Sequence, residues 1–474
     1  MTGTGTLASS LADDLEALIV RGTLRPGEKL PSVRALHVER RLAIGTVCHA
    51  LAVLEARGFV EARPRAGYFV TVRRTLSVPK AETTSRAPRR VPLPHVADDF
   101  VTASSDATLV PLGGTLLADS LVPIRHLQRI AREVLAKTTT VFTGYGPPAG
   151  DRELRKQIAT RLVRIGVRAT EEDIVVTSGA MNAMRLAVAV ATKPGDTIAV
   201  ESPTFFALLP MLRDAGLYVV EIPTDPTHGI DLDELDEVAR KRRLSALVVT
   251  PSFQNPTGGC MSDAAKHELV AIARRRGFGI IEDDVYGDLY FGRSRPRPLA
   301  AIGRSAGDIF YCSSFSKTLA SGLRVGFVVH RSAHESLARA KLSSTIASPP
   351  FNQAVIARFL AGGTYERHLR HLREALRQQM ASATLAIARY FPARIEVTAP
   401  QGGYALWVRL PSEVDALSVY ERARRDGIAL LPGHVCAIEP RFASYIRLSC
   451  GHPWSDRLER GIARIGTIVR RLES

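Results

Sequence analysis

Apolar residues recur at helical spacing from the start of the chain. Leu7, Leu11, Leu15, Leu18 and Ile19 share one face, which predicts a helix over residues 7–20. Arg25-Pro26-Gly27-Glu28 reads as a turn, and Leu30-Pro31-Ser32 opens a second helix with Ser32 as its N-cap. A third helix carries Val47, Ala50, Leu51 and Leu54 at core spacing and stops at Gly58. Residues 59–62 and 68–72 predict two strands around a basic turn, Arg63-Pro64-Arg65-Ala66-Gly67. Three helices followed by a hairpin predict a winged helix-turn-helix over residues 1–73.

Residues 74–104 begin with a different texture. Over 74–94, Lys80, Arg86, Arg89 and Arg90 mix with Pro, Ser and Thr, without an apolar period. This predicts a linker, and a coil of ~20 residues spans about 25 Å on average. Two such linkers in a dimer suit half-sites one DNA turn apart, about 34 Å. From residue 105 to 474, helical stretches alternate with short β-rich runs at 174–177, 197–201, 246–250, 278–282, 309–312 and 325–330. Alternation of this kind predicts an α/β domain with a largely parallel sheet, the large subdomain at about 140–345. From about 346 onward, a long helix and a smaller α+β subdomain are expected, and no internal repeat is visible.

Composition narrows the class. A chain of 474 residues with 45% hydrophobic and 23% charged residues has ample core for two or three units. The net charge of +16 favours a polyanion partner. It does not locate one: residues 1–100 hold 15 Lys+Arg against 10 Asp+Glu, leaving +11 on the rest. Cys48, Cys260, Cys312, Cys436 and Cys450 show no CxxC spacing, which suits a reducing cytosol. No secretory signal pattern and no apolar run near 18 residues is present, so a cytoplasmic protein without membrane spans is expected.

Chemistry gathers where the predicted strands end, the place where open α/β sheets bind ligands. Ser178-Gly179-Ala180 follows the first strand and opens a helix, whose N–H groups and dipole suit a phosphate. Ser202-Pro203-Thr204-Phe205 follows the second and supplies an aromatic face. Gln254-Asn255-Pro256-Thr257-Gly258 follows the third. Asp283, with Tyr286 three residues on, follows the fourth. Ser314, Ser316, Lys317 and Arg324 follow the fifth.

Two resemblances rest on these residues. Gly27-Glu28-Lys29-Leu30-Pro31-Ser32-Val33-Arg34-Ala35-Leu36, Thr46-Val47 and Leu54-Glu55-Ala56-Arg57-Gly58-Phe59-Val60 resemble the GntR-type winged helix. The resemblance implies double-stranded DNA as partner, with Arg34, Thr46, His49, Arg63 and Arg65 facing it. Ala43-Ile44-Gly45 departs from the family's Ser-Arg start of the recognition helix, which puts base reading in doubt, not the fold. The strand-end segments, with Ser313-Ser314-Phe315-Ser316-Lys317-Thr318, resemble fold-type I aminotransferases dependent on pyridoxal phosphate. That resemblance implies that Lys317 forms the Schiff base, Asp283 pairs with the pyridine nitrogen, and Asn255 and Tyr286 bond the phenolic oxygen. It implies that Phe205 stacks on the ring, and that Ser178, Gly179, Ala180, Ser314, Ser316 and Arg324 cradle the phosphate. Tyr145 matches a tyrosine given to the neighbouring subunit's phosphate, and Arg447 an arginine that grips an α-carboxylate. Ser321, where a proline is common, and Ala180-Met181-Asn182, a less polar helix start, imply weaker cofactor binding. A basic stripe, Arg367, Arg370, Arg373 and Arg377, reads as a subunit or solvated face.

Together the two halves resemble the MocR/GabR subfamily of GntR regulators. What this implies is a homodimeric, PLP-dependent DNA-binding transcription regulator that senses an amino acid or related amine by external aldimine formation. Three alternatives stay open at the level of sequence. The transaminase set looks intact, so the chain can be a working aminotransferase with a DNA-binding domain. It can instead sense pyridoxal phosphate itself, or keep the aminotransferase fold only as a dimerisation scaffold.

Overall fold

The N-terminal helices form where apolar spacing and caps place them. The computed structural model describes residues 4–20, 23–25, 27–56, 58–63, 66–71, 76–91, 99–103, 106–302 and 309–473. Helix α1 (Thr4–Val20) buries Ala8, Leu11, Ala12 and Leu15. The buried stripe thus starts at Ala8, and Leu7, expected on the core face, is exposed. Helix α2 (Val33–Arg40) starts at Ser32, whose Oγ accepts the Ala35 N–H at 3.1 Å. It ends at Arg41 in the left-handed region, with φ of 51°. Helix α3 (Ile44–Ala56) fully buries Val47, Ala50, Leu51 and Leu54. Strands β1 (Val60–Arg63) and β2 (Gly67–Val70) pair antiparallel, Val60 opposite Val70, and close the wing.

The described linker residues, 76–91, form no helix or long strand, yet they do not run free. Leu76 packs against the core of the small subdomain, and Val91 lies in the core beneath the main sheet. The expected free coil is replaced by a pinned one because its polar groups find partners far along the chain, which spacing within 74–94 does not reveal.

The large subdomain is built on an eight-stranded sheet: β3 (Ile174–Thr177), β4 (Thr197–Ser202), β5 (Tyr218–Asp225), β6 (Gly229–Ile230), β7 (Ala246–Val249), β8 (Gly279–Asp283), β9 (Ile309–Ser314) and β10 (Gly326–Val329). Their order across the sheet is β3-β10-β9-β8-β7-β4-β5-β6. All neighbours from β9 through β5 are parallel, whereas β10 runs antiparallel to both β9 and β3, and β6 antiparallel to β5. Helices cover the faces, so β3 and β7 are buried at every position, as their unbroken apolar runs require. The fold is therefore α/β, a largely parallel sheet preceded by a winged helix.

Beyond residue 346 the expected long helix is two: Pro350–Ala361, then α5 (Tyr365–Tyr390), broken at Gly362-Gly363, where Gly363 takes a φ of +67°. A four-stranded antiparallel sheet follows, β11 (Glu396–Val397), β12 (Ala405–Arg409), β13 (Leu431–Pro432) and β14 (Tyr445–Ser449), in the order β11-β12-β14-β13. Helix α5 and the C-terminal helix α6 (Asp456–Glu473) pack against it around Leu376, Ile387, Leu406, Ile446 and Ile465.

Candidate functional site

Lys317 lies in the turn after β9, and its Nζ donates to the Thr115 carbonyl at 2.6 Å and to Thr115 Oγ1 at 3.1 Å. Burial, and then repulsion by Arg447, lowers its pKa to about 8, with Asp283 pulling the other way. At the pH of a cell a sizeable fraction of the amine is then neutral, which a nucleophilic lysine needs. Asp283 ends β8, and its Oδ1 is buried without a partner. Burial, and then the adjacent Asp284 carboxylate, raises Asp283 to about 7 against the pull of Lys317. A buried, unpaired carboxylate oxygen is costly and calls for a donor. The neighbouring Asp284 has its Oδ2 held by the Tyr311 hydroxyl at 2.7 Å and by Arg295, while its Oδ1, like that of Asp283, has no partner.

Gln254 shapes the turn after β7: its Nε2 donates to the Pro203 carbonyl at 2.7 Å, while its Oε1 accepts from the N–H and hydroxyl of Thr257. That turn aims Asn255 Oδ1 at Arg447 Nη1, 2.9 Å away. Arg447, on β14 and 1% exposed, also donates Nη2 to the Gly113 carbonyl at 2.6 Å, and its Nε has no partner. Tyr286 is buried edge-to-face on Tyr404, ring centroids 5.8 Å apart. Burial raises its pKa, while Thr115, Arg447 and Asn255 draw it down.

A second cluster forms at the end of β3. Arg324 donates Nη2 to the Ser178 carbonyl at 3.2 Å and Nη1 to Ser316 Oγ at 3.3 Å. The Ser316 N–H points to Ser314 Oγ at 3.4 Å. Gly179, at φ +89°, takes a backbone conformation strained for any L side chain, and a Cβ there would displace the Arg324 guanidinium, 2.6 Å away at Nη2. Ala180 begins helix α4 (Ala180–Ala191), whose first turn has no side-chain cap, leaving N–H groups for an anion. Phe205 is partly buried, edge-to-face on Phe206 at 4.9 Å. Tyr145 stands apart, 76% exposed.

Sequence reasoning missed Gly113, Thr115, Tyr404 and Phe100. Thr115 joins the site because Tyr404 donates to its carbonyl at 2.8 Å alongside Lys317. A Cβ at Gly113 falls 3.1 Å from the Leu430 backbone nitrogen, so a side chain there would press on its neighbours where its carbonyl meets Arg447. Gly113-Gly114 was the one signal available, in a segment without period. Phe100 places its ring 5.9 Å from the Arg447 guanidinium and 5.2 Å, edge-on, from Phe206.

The residues present fit pyridoxal phosphate: an amine at Lys317, an unpaired acceptor at Asp283 and an anion cradle around Arg324 and Gly179. In the winged helix, Arg34 and His49 are exposed and Thr46 is half-buried on the same α3 face as His49. Arg63 is engaged within the wing, paired with Glu61 at 2.6 Å and stacked 4.4 Å from the Phe69 ring. Arg65 lies outside the described residues. In the basic stripe, Arg373 stacks on Tyr290 and Arg377 pairs with Glu374, leaving Arg367 and Arg370 exposed.

A winged helix joined to a lysine-centred aminotransferase fold defines a DNA-binding cofactor protein. The chain belongs to the GntR-type transcription regulators that carry this fusion, the MocR/GabR arrangement. Residues 7–70 match the bacterial regulatory proteins of the gntR family, and residues 114–465 match aminotransferase class I and II. The uncharacterised HTH-type transcriptional regulator YjiR of Escherichia coli is 36% identical, over 98% of both chains. The 2-aminoadipate transaminase of Thermus thermophilus is 31% identical over 77% of this chain and 91% of its own. The structure of LysN, the α-aminoadipate aminotransferase of that organism, complexed with N-(5'-phosphopyridoxyl)-L-leucine, superposes with a TM-score of 0.74. It is 29% identical and covers 81% of this chain and 96% of its own. No helix of the described residues is long and apolar enough to cross a membrane.

Proposed function

We propose that this regulator binds an amino acid, or a related amine, at the Lys317 site and answers with a change in DNA affinity. Its cofactor is pyridoxal phosphate, which when bound supplies covalent chemistry with amines and an electron sink. Lys317 would hold it, Asp283 would accept from its ring nitrogen, and Asn255 and Tyr286 would face its phenolic oxygen. Phe205 would stack on the ring, while Ser178, the N–H groups of Gly179 and Ala180, Ser314, Ser316 and Arg324 would take the phosphate. Arg447 would bind the ligand carboxylate, for which its unpartnered Nε is a free donor. The observation that carries the reading is Lys317 buried within electrostatic reach of the unpaired Asp283 oxygen and of buried Arg447, in a chain that also carries a DNA-binding domain.

A homodimer belongs to this reading: Tyr145 and Phe142 are exposed in the single chain, and Tyr145 would be the residue given to a partner's phosphate. So does a cytoplasmic location, where DNA and reduced cysteines coexist. Turnover as a transaminase is a second reading, favoured by the lowered pKa of Lys317, which suits a general base.

The test uses DNA selected from a random-sequence library. Its affinity for the cofactor-loaded protein is measured with each standard L-amino acid and with cofactor alone. We expect at least one amino acid to change the affinity, and Lys317→Ala and Arg447→Ala to keep DNA binding but lose the response. DNA affinity unmoved by any of them, or moved equally in Lys317→Ala, contradicts the reading.

A further inference from the structure

Residues 76–91 touch both subdomains, and their two ends are held differently. At the N-terminal end, Leu76 packs on the small-subdomain core, and the Ser77 carbonyl accepts the Val397 N–H at 2.8 Å. Glu82 Oε1 accepts the Tyr445 hydroxyl at 2.8 Å, with Arg409 3.8 Å away, and the Thr83 carbonyl accepts from Arg441. At the C-terminal end, Arg86 grips Glu234 with two bonds of 2.6 Å. Arg89 exchanges both backbone hydrogen bonds with Val219 of β5, each 2.9 Å, and its side chain pairs with Glu439, a small-subdomain residue in a stretch that itself bonds β5 through the Ile438 N–H and Glu221. Val91, 5% exposed, sits in the core of the large subdomain.

Tyr445 matters because of where it stands. It is two residues before Arg447 on β14, stacks on Trp407 with centroids 5.3 Å apart, and Trp407 is the cross-strand partner of Arg447. The linker therefore reaches the strand that carries the carboxylate clamp through one hydroxyl. Only residues 72–75 separate the wing from the anchor at Leu76. Five Cα steps from Thr71 to Leu76 reach about 18 Å at most, so the winged helix is leashed to the small subdomain.

Each end is held to a different body by a backbone hydrogen bond and an apolar side chain, Ser77 with Leu76 to the small subdomain and Arg89 with Val91 to the large one. Exposed ion pairs such as Arg86–Glu234 are screened by solvent and add little. A backbone pair beside a buried valine holds more firmly, since releasing it would return apolar surface to water. The 89–91 end is the fixed one, and the 76–83 end travels with the small subdomain.

We propose that residues 76–91 are the transmitting strap of this regulator, with Glu82 as the positioning residue that ties it to the Arg447 strand. Resting on the ligand-sensing reading above, the proposal adds its route. A carboxylate taken by Arg447 shifts β14, Tyr445 carries Glu82 and Ser77 with it, and the winged helix follows on its short leash.

The test compares the full-length, cofactor-loaded protein with Glu82→Ala and Tyr445→Phe. DNA from the random-sequence selection and the L-amino acid of largest wild-type effect are the probes. In the wild type the amino acid should change DNA affinity by roughly 5–150-fold, and DNA should change amino-acid affinity by the same factor. In both variants we expect amino-acid binding, followed by absorbance, and DNA binding to persist, while the coupling in both directions falls to about 2-fold or less. Full coupling in either variant overturns the strap, as does loss of amino-acid binding itself, which would make Glu82 a support of the pocket alone. Hydrogen exchange guards against a folding defect: in the wild type, protection of residues 76–83 should change on adding the amino acid while that of 89–91 does not. Unchanged protection throughout, with coupling present, also overturns it. A wild-type protein without coupling sinks the sensing reading itself, and the strap with it.

Discussion

Lys317 and Asp283 show how burial tunes single groups before any cofactor arrives. With its pKa lowered to about 8, Lys317 should capture pyridoxal phosphate at a rate that rises with pH to a midpoint near 8. An ordinary lysine would give a midpoint near ~10.4, and absorbance-monitored reloading of cofactor-free protein distinguishes the two. Asp283 is raised to about 7, so the folded state keeps a proton that the unfolded chain releases near pH ~4. Its contribution is therefore a penalty that grows between about pH 4 and 7 and is flat above. Relative to Asp283→Asn, the cofactor-free wild type should lose thermal stability across that window, and a pH-independent gap in Tm would contradict this. Most strand-end groups were legible because an apolar run ends just before each: Ser178, Asp283 and Lys317 announce themselves. Thr115 and Phe100 were not, since both come from stretches without period: Thr115 joins the site because residues 112–113 bond along β14, and Phe100 because it packs with Trp407 and Tyr445.

At the scale of elements, spacing and caps were enough for the winged helix. Ser32 caps α2, and Leu51 is fully buried in α3. Leu51→Ala should cost about 2–5 kcal/mol, and we expect it to abolish DNA binding while cofactor absorbance stays. The exposed Arg34 should contribute a phosphate contact, so Arg34→Ala should lower the slope of log affinity against log salt by about 0.9. Arg63 is engaged by Glu61 and Phe69, so we expect a smaller change there. Ile44, exposed on α3 where the family has a polar residue, adds neither a cap nor a phosphate bond. Strand β5 escaped the sequence reading because Glu221 and Pro223 interrupt its apolar run. Glu221 is tolerated in the interior because Ser202 Oγ and the Ile438 N–H, at 3.2 and 3.0 Å, satisfy it. The linker was expected, but its anchoring escaped for a related reason, since its partners lie 128 to 363 residues away and leave no local pattern.

At the scale of the molecule, a regulator needs two states that its ligand tells apart. Shifting the population from 1:99 to 99:1 takes about 5.5 kcal/mol of preference, which would have to come from the ligand amine taking the place of Lys317 on the cofactor and from its carboxylate on Arg447. The exposed Tyr145 belongs to the same scale. If it serves a partner's phosphate site, Tyr145→Phe should release cofactor faster on dilution while leaving the monomer fold unchanged. The measurement that bears most directly on the central claim is the absorption spectrum of the purified protein as L-amino acids are titrated in, with an α-keto acid present. A stable, saturable spectral shift without keto-acid product is the result expected of a sensor built on Lys317. Absence of any cofactor band, or continuous product formation with every amino acid that binds, would contradict it.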